Sequence, residues 1–222
     1  MAANLIPGLI VYLLLLISLS VHEWAHGYVA YKFGDPTAAA LGRLTLNPLA
    51  HVDVVGTVIV PIAMILLAPG FVILGWAKPV PIDPRYFKGR RRVCELLVSL
   101  VGPFSNLLLA AFASIISACL VKYFGGNTAA LFGLMAWINI ALFVFNLVPI
   151  PPLDGGYMLK MAFQISDEIY FRISRWGFLI LFILINTPFF RSILYACMVG
   201  TSNLINALLC GLFKMPQGTL LF

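Results

Sequence analysis

Charged side chains are what this sequence has least of. They make up 10% of its 222 residues, against 62% apolar ones. A soluble domain carries about a quarter charged residues and under half apolar ones. A chain of this size cannot hide the surplus in one core, so a water-soluble enzyme is excluded and a multi-spanning membrane protein is implied. Mean hydropathy is +1.01, in keeping with that reading. The four cysteines, Cys94, Cys119, Cys197 and Cys210, form no CxxC pair and stand scattered in apolar runs. That argues against a disulfide framework and against a thiolate metal site, and leaves them as small apolar residues. There is no internal repeat, no low-complexity tract and no polar insert of the size a separate soluble domain needs. The chain therefore reads as one unit, 1–222. The first 20 residues contain no Lys or Arg. Although Ser18-Leu19-Ser20 resembles a small-x-small cleavage site, the basic start of a signal peptide is missing and the apolar helical pattern runs on past it, so this segment is expected to be retained.

What charge there is has a pattern. The formal net charge is +6, and six of the fourteen Lys and Arg residues fall between Lys78 and Arg92, directly before an apolar run. This is a juxtamembrane arrangement, not a nucleic-acid-binding one, and it marks a cytoplasmic loop by the positive-inside rule. Residues 5–33 predict a first span. Residues 36–52 are polar-interrupted and predict loop or short strand. Residues 54–76 are apolar but carry Gly56, Pro61, Pro69 and Gly70. A Pro-rich basic loop follows at 77–92. Helices are expected over 93–123, bent or closely packed at Gly102-Pro103, and over 128–148. A short segment at 156–167 precedes two more helices at about 171–188 and 191–213. The fold class is all-α integral membrane, with about five to six transmembrane helices and a re-entrant or strand-like segment after the first. The core lies at about 5–165 and accessory helices at about 168–214. Lys32 and Arg43 put the end of the first span in the cytoplasm. The 78–92 cluster joins them there only if 54–76 re-enters and returns.

The chemistry is concentrated at 18–30, "SLSVHEWAHGYVA", where His22, Glu23 and His26 stand inside an apolar run. Histidines four apart on a helix share one face and can bind one zinc ion. Glu23, beside the first of them, suits a base that takes a proton from an activated water. Unpaired ionisable groups within a bilayer cost at least ~2.5 kcal/mol each, so three in one turn need a partner such as a metal. A catalytic zinc takes three protein ligands. The other acids and histidines near apolar runs are His51, Asp53, Glu95, Asp154, Asp167 and Glu168. Asp154 stands out, because Pro149, Pro151 and Pro152 break the helix before it and Gly155 and Gly156 allow close backbone approach. An N-cap role is the plainer alternative for Asp154.

Taken together, "HEWAH" and "NLVPIPPLDGG" resemble the signatures of the site-2 protease family of intramembrane zinc metalloproteases, HExxH and NxxPxPxLDG. The second is matched in full by Asn146, Pro149, Pro151, Leu153, Asp154 and Gly155. "GRLTLNPLAHVDVVGT", "GWAKPVPIDP" and "GPFSNLL" are similar to short prokaryotic members, so the resemblance covers about 15–165. It implies one Zn²⁺ held by His22, His26 and Asp154, Glu23 as catalytic base, and Asn146 holding substrate backbone or polarising the scissile carbonyl. It further implies cleavage of transmembrane segments of membrane-protein substrates, in the cell membrane toward the cytoplasmic side. Strand-like structure after HExxH, able to pair with an extended substrate, is implied too, and fits 36–52 and 54–90 loosely. The PDZ domain of many relatives has no counterpart here. His51 is open between zinc ligand, support behind the ligands, substrate contact and interfacial histidine. Asn106 reads as glue between helices or support behind the ligands. Arg90, Arg91 and Arg92 read as orientation anchors near anionic lipid. The rival reading is a zinc-binding transporter or non-proteolytic membrane scaffold, for which Glu23 would have no specific use.

Overall fold

A computed structural model describes residues 5–60, 63, 76–124 and 126–213. Seven α-helices are present among them: α1 (Leu5–Lys32), α2 (Thr37–Ala40), α3 (Arg91–Phe124), α4 (Gly126–Asn146), α5 (Asp154–Phe163), α6 (Asp167–Ile185) and α7 (Pro188–Phe213). No strand occurs among the described residues, and an all-helical membrane architecture holds. Four of these helices have the length and composition to cross a bilayer: α1, α3, α4 and α7. The expectation of five to six spans is not reached among the described residues. At 19 residues α6 is nearly long enough, but Asp167, Glu168, Arg172 and Arg175 crowd its first half.

α3 is the central helix, packed against α1, α4 and α5, with α7 behind α4. Close packing follows from residue size. Ala110, Ala113, Ser114, Ala118 and Ala136 are almost fully buried along these contacts. Small side chains let helix backbones approach, which replaces the hydrophobic drive that lipid removes. Ser117 Oγ reaches across to donate to Ala129 O at 2.9 Å. The large apolar residues point the other way: Leu13 and Ile17 on α1, Leu108 and Phe112 on α3, Leu204 and Leu208 on α7 are exposed. In a bilayer that surface faces acyl chains.

Between α1 and α3 the chain is irregular. Short 3₁₀ turns occur at Pro48–His51 and Pro84–Tyr86, and a π-turn at Val54–Ile59. The expected strand or loop over 36–52 is a helical turn plus loop. Most of 54–76 lies outside the described residues, and so does its expected re-entry. Its two ends are held side by side: Trp76 N donates to Gly56 O at 3.2 Å and Thr57 Oγ1 to Trp76 O at 2.9 Å. Gly56 is required here, since a Cβ would meet the Trp76 ring at 2.3 Å.

Residues 76–90 are then pinned along the end of α1. Lys78 N donates to His51 O (2.9 Å), Val80 N to Glu23 Oε2 (2.7 Å), Asp83 N to Asp35 Oδ2 (2.7 Å) and Lys88 N to Phe33 O (2.7 Å). Arg43 Nη2 caps Lys78 O at 2.8 Å. Asp83 also accepts from the Arg85 guanidinium, which holds its carboxyl below the usual range.

Candidate active site

The site is assembled from three helices that meet at the first half of α3. On α1, His22 and His26 stand one turn apart with ring centroids 4.6 Å apart and edge to face. Both are buried, at 4% and 7% exposure. Asp154, the first residue of α5, faces them from the opposite side. Its Oδ2 lies 3.1 Å from His22 Nε2 and its Oδ1 3.3 Å from His26 Nε2. The two Nε2 atoms are 3.0 Å apart. His22, His26 and Asp154 are the one group of three or more metal-ligating side chains among the described residues, with donor atoms within 4.8 Å of one another.

The donor set fits a divalent metal, and the reason is the direction of the hydrogen bonds behind it. His26 Nδ1 lies 2.6 Å from Val98 O, a carbonyl that can only accept. His26 therefore carries its proton on Nδ1, and a neutral ring presents a bare lone pair at Nε2. His22 Nδ1 lies 2.6 Å from Asn106 Oδ1, with the same consequence. Asp154 Oδ2 is buried and finds no donor; its neighbour at 3.1 Å is the His22 lone pair. Two imidazole lone pairs and a carboxylate repel one another at these distances unless a cation lies among them. That chemistry fits a zinc ligand set with support behind the histidines.

One face of α3 organises all of this. Glu95, Val98, Gly102 and Asn106 fall at i, i+3, i+7 and i+11 and so line one stripe. Val98 and Asn106 hold the two rings. Gly102 leaves the space they occupy: a Cβ there would lie 2.1 Å from His26 Nε2 and 2.8 Å from His22 Cε1. Glu95 is buried and accepts from Tyr157 Oη at 3.1 Å, three residues after Asp154, while pairing with Arg91. α5 is thereby tied to the helix that holds the histidines. Gly155 and Gly156 let its first turn fold back on the preceding loop, since Cβ atoms there would meet Leu147 O and Pro151 N at 2.4 Å. α6 then crosses over that loop at Gly177, whose Cβ would be 1.9 Å from Pro151 O. Further along, Lys160 pairs with Asp167 at 2.5 Å and lies over the Tyr157 ring.

The remaining sequence candidates fall as follows. Glu23 stands beside the cluster with Oε2 on Val80 N–H. Asn146 turns its amide back to Leu142 O at 3.0 Å, at the end of α4. His51 is buried, bonds through Nε2 to Thr45 O at 2.8 Å, and lies outside the metal-type cluster. Asp53 caps Gly56 N. Arg91 and Arg92 engage Glu95 and Gln164. A polar cavity of about 320 Å³ beside Arg92, Lys160 and Asp167 is lined by none of His22, Glu23, His26 and Asp154. Sequence reasoning missed Val80, Val98 and Asn139. A backbone contact leaves no mark in side-chain identity. Asn139, however, is a lone amide in the apolar run "AWINIALF", which is a usable signal of an intramembrane polar contact.

A polytopic helical membrane protein with a buried His–His–Asp donor set and an adjacent glutamate is the class that fold and site define. The model of peptidase family M50 matches residues 123–185, a stretch that holds Asn146 and Asp154. A Bacillus subtilis (strain 168) protein named "Putative zinc metalloprotease YwhC" is 34% identical over 221 residues, 95% of this chain and 94% of that protein. "Putative zinc metalloprotease Rip2" of Mycolicibacterium smegmatis is 32% identical over 178 residues, 78% of this chain and 65% of that protein. The chain belongs to peptidase family M50. No solved structure matches it.

Proposed function

We propose that this protein is a zinc-dependent intramembrane endopeptidase that cleaves transmembrane segments of other membrane proteins near the cytoplasmic leaflet. The observation that carries the reading is the convergence of His22, His26 and Asp154 from α1 and α5, with Glu23 one residue from the first ligand. His22 Nε2, His26 Nε2 and a carboxylate oxygen of Asp154 hold the metal. Zinc, when bound, acts as a Lewis acid that makes a water nucleophilic near neutral pH. Glu23 accepts the proton of the attacking water and delivers it to the leaving amide nitrogen. The substrate helix must unwind to expose its carbonyl, and the pinned, extended stretch around Val80 lies next to Glu23 where an unwound strand can pair with backbone. Asn146 offers an amide to the same substrate once it turns from Leu142 O.

Metal content is the direct test. The purified wild type should hold about one zinc per chain, and Asp154→Ala should lose it or bind it at least ~10-fold more weakly. Elemental analysis after metal-replete purification reads this out. A zinc-free wild type sinks the reading; unchanged zinc in the variant moves the third ligand away from Asp154.

The cytoplasmic orientation has its own test. The paired ends of 57–76 lie within one hydrogen bond of each other, whereas a ~20-residue helix crossing the bilayer would separate its ends by ~30 Å. This supports both ends lying on one side of the membrane, and with that a cytoplasmic 78–92 loop. A single cysteine at exposed Tyr86, with the four native cysteines replaced, should react with an impermeant maleimide only after the cytoplasmic face is opened. Labelling from the outside of intact cells would overturn the topology.

A further inference from the structure

Asn139 lies in the middle of α4, fully buried in an otherwise apolar run, and the proposed mechanism makes no use of it. It belongs to a chain of hydrogen bonds that starts on α1 and ends on His22, and the polarity of that chain is dictated at its far end. Ser18 Oγ lies 2.8 Å from Leu14 O, which can only accept, so the single hydroxyl proton of Ser18 is spent there. Toward Asn139, 2.8 Å away, Ser18 can only accept. The same side of the Asn139 amide lies 2.8 Å from Met135 O, a second obligate acceptor. The NH₂ of Asn139 must therefore face Ser18 and Met135, which turns its Oδ1 toward Asn106, 2.9 Å away. That oxygen needs a donor, so Asn106 presents its own NH₂ to Asn139, with Ser18 O also 3.5 Å from it. Asn106 Oδ1 is left facing His22 Nδ1 at 2.6 Å. An amide that could flip in isolation is fixed by two backbone carbonyls and a hydroxyl.

We propose that Asn139 and Ser18 are positioning residues that lock the tautomer of His22 through Asn106. The inference rests on the zinc reading above. With the lock in place, His22 is protonated on Nδ1 and its Nε2 lone pair faces His26 and Asp154. Without it, the Asn106 amide can turn over and offer NH₂ to His22 Nδ1. The proton then sits on Nε2, pointing at His26 Nε2 and Asp154 Oδ2, where it occupies the place of the metal. All four side chains of the chain, Ser18, His22, Asn106 and Asn139, are buried, so water does not substitute for a missing link.

The test is a double-mutant cycle read as zinc affinity by chelator competition on purified protein, with no activity assay involved. Asn139→Leu keeps the volume and removes the lock; zinc binding should weaken about 10-fold, the low end of losses seen when groups supporting a ligand are removed. Asn106→Asp replaces the amide by a carboxylate, both of whose oxygens accept from His22 Nδ1–H, so no lock is needed. In that background Asn139→Leu removes only an oxygen that faces the new carboxylate, and zinc binding should not weaken. Equal losses in both backgrounds would mean Asn139 is a packing residue only, and no loss beside the native Asn106 would remove it from the site; either result overturns the proposal. Should Asn139→Leu fail to fold, Asn139→Val, which removes the same amide, runs through the same cycle under the same criteria. A wild type that binds no zinc refutes the proposed function itself, and that outcome is distinct from wild-type binding with an unchanged variant.

Discussion

Glu23→Gln is expected to keep about one zinc per chain and to lose cleavage of a transmembrane substrate, with kcat falling roughly 10²–10⁴-fold. The substitution preserves shape. The glutamine oxygen can still accept from Val80 N–H, where Glu23 Oε2 now sits at 2.7 Å, so the pinned loop should stay in place. The donor atoms of His22, His26 and Asp154 are untouched, because Glu23 is not one of them. What is lost is a basic carboxylate able to take a proton from water, since an amide has no such affinity. Zinc content and single-turnover cleavage, measured on the same preparation, separate the two roles. Retained proteolysis would refute the base role. Bound zinc in both proteins with no cleavage by either would favour a transport or scaffold role, for which a glutamate beside a ligand has no specific purpose.

Gly102→Ala should be nearly as damaging, although Gly102 is neither ligand nor base. Alanine is the better helix former by about 0.8–1 kcal/mol, so α3 itself has no reason to unwind. The added Cβ would fall 2.1 Å from His26 Nε2 and 2.8 Å from His22 Cε1. Real contacts are wider by more than an ångström, so His26 must move by about that much. A displacement of ~1 Å in catalytic geometry costs about 10² in rate, and a metal site whose ligands shift that far should lose at least ~100-fold in zinc affinity. Circular dichroism should show helix content unchanged, while zinc titration shows the loss. Gly200→Ala is the matched control, since a Cβ there meets nothing within 4 Å. Undiminished zinc binding in Gly102→Ala would mean that the histidines sit elsewhere than against α3.

Several elements were legible before any coordinates. The apolar runs placed α1, α3, α4, α6 and α7 to within a few residues, because spans of about 20 apolar residues are a local property of the chain. His22 and His26 were legible for a similar reason: helical spacing alone puts residues i and i+4 on one face. Asp154 could be singled out because the prolines and glycines around it record a break and a close approach in residue type. Gly102 was half legible, as a place of tight packing with no indication of what packs there.

The rest was decided by how the helices turn about their own axes. In water an apolar stripe tells which face of a helix points inward. In lipid both faces are apolar, so nothing in the sequence of α3 says that Glu95, Val98, Gly102 and Asn106 face the site while Leu108 and Phe112 face the bilayer. Val98 contributes a carbonyl, which any residue could offer, and Val80 an N–H, which any residue but proline could, and no side chain advertises them. Asn146 and His51, both conspicuous in sequence, bond to Leu142 O and Thr45 O, whereas Asn139, marked only as a lone amide in an apolar run, closes the chain behind His22. The sequence by itself determined that this is a helical membrane protein with two histidines on one helical turn and a distant aspartate. Only the tertiary structure decided which helix face brings them together, because contacts between residues 72 to 132 positions apart depend on helix rotation and packing, which local periodicity in an apolar solvent does not encode.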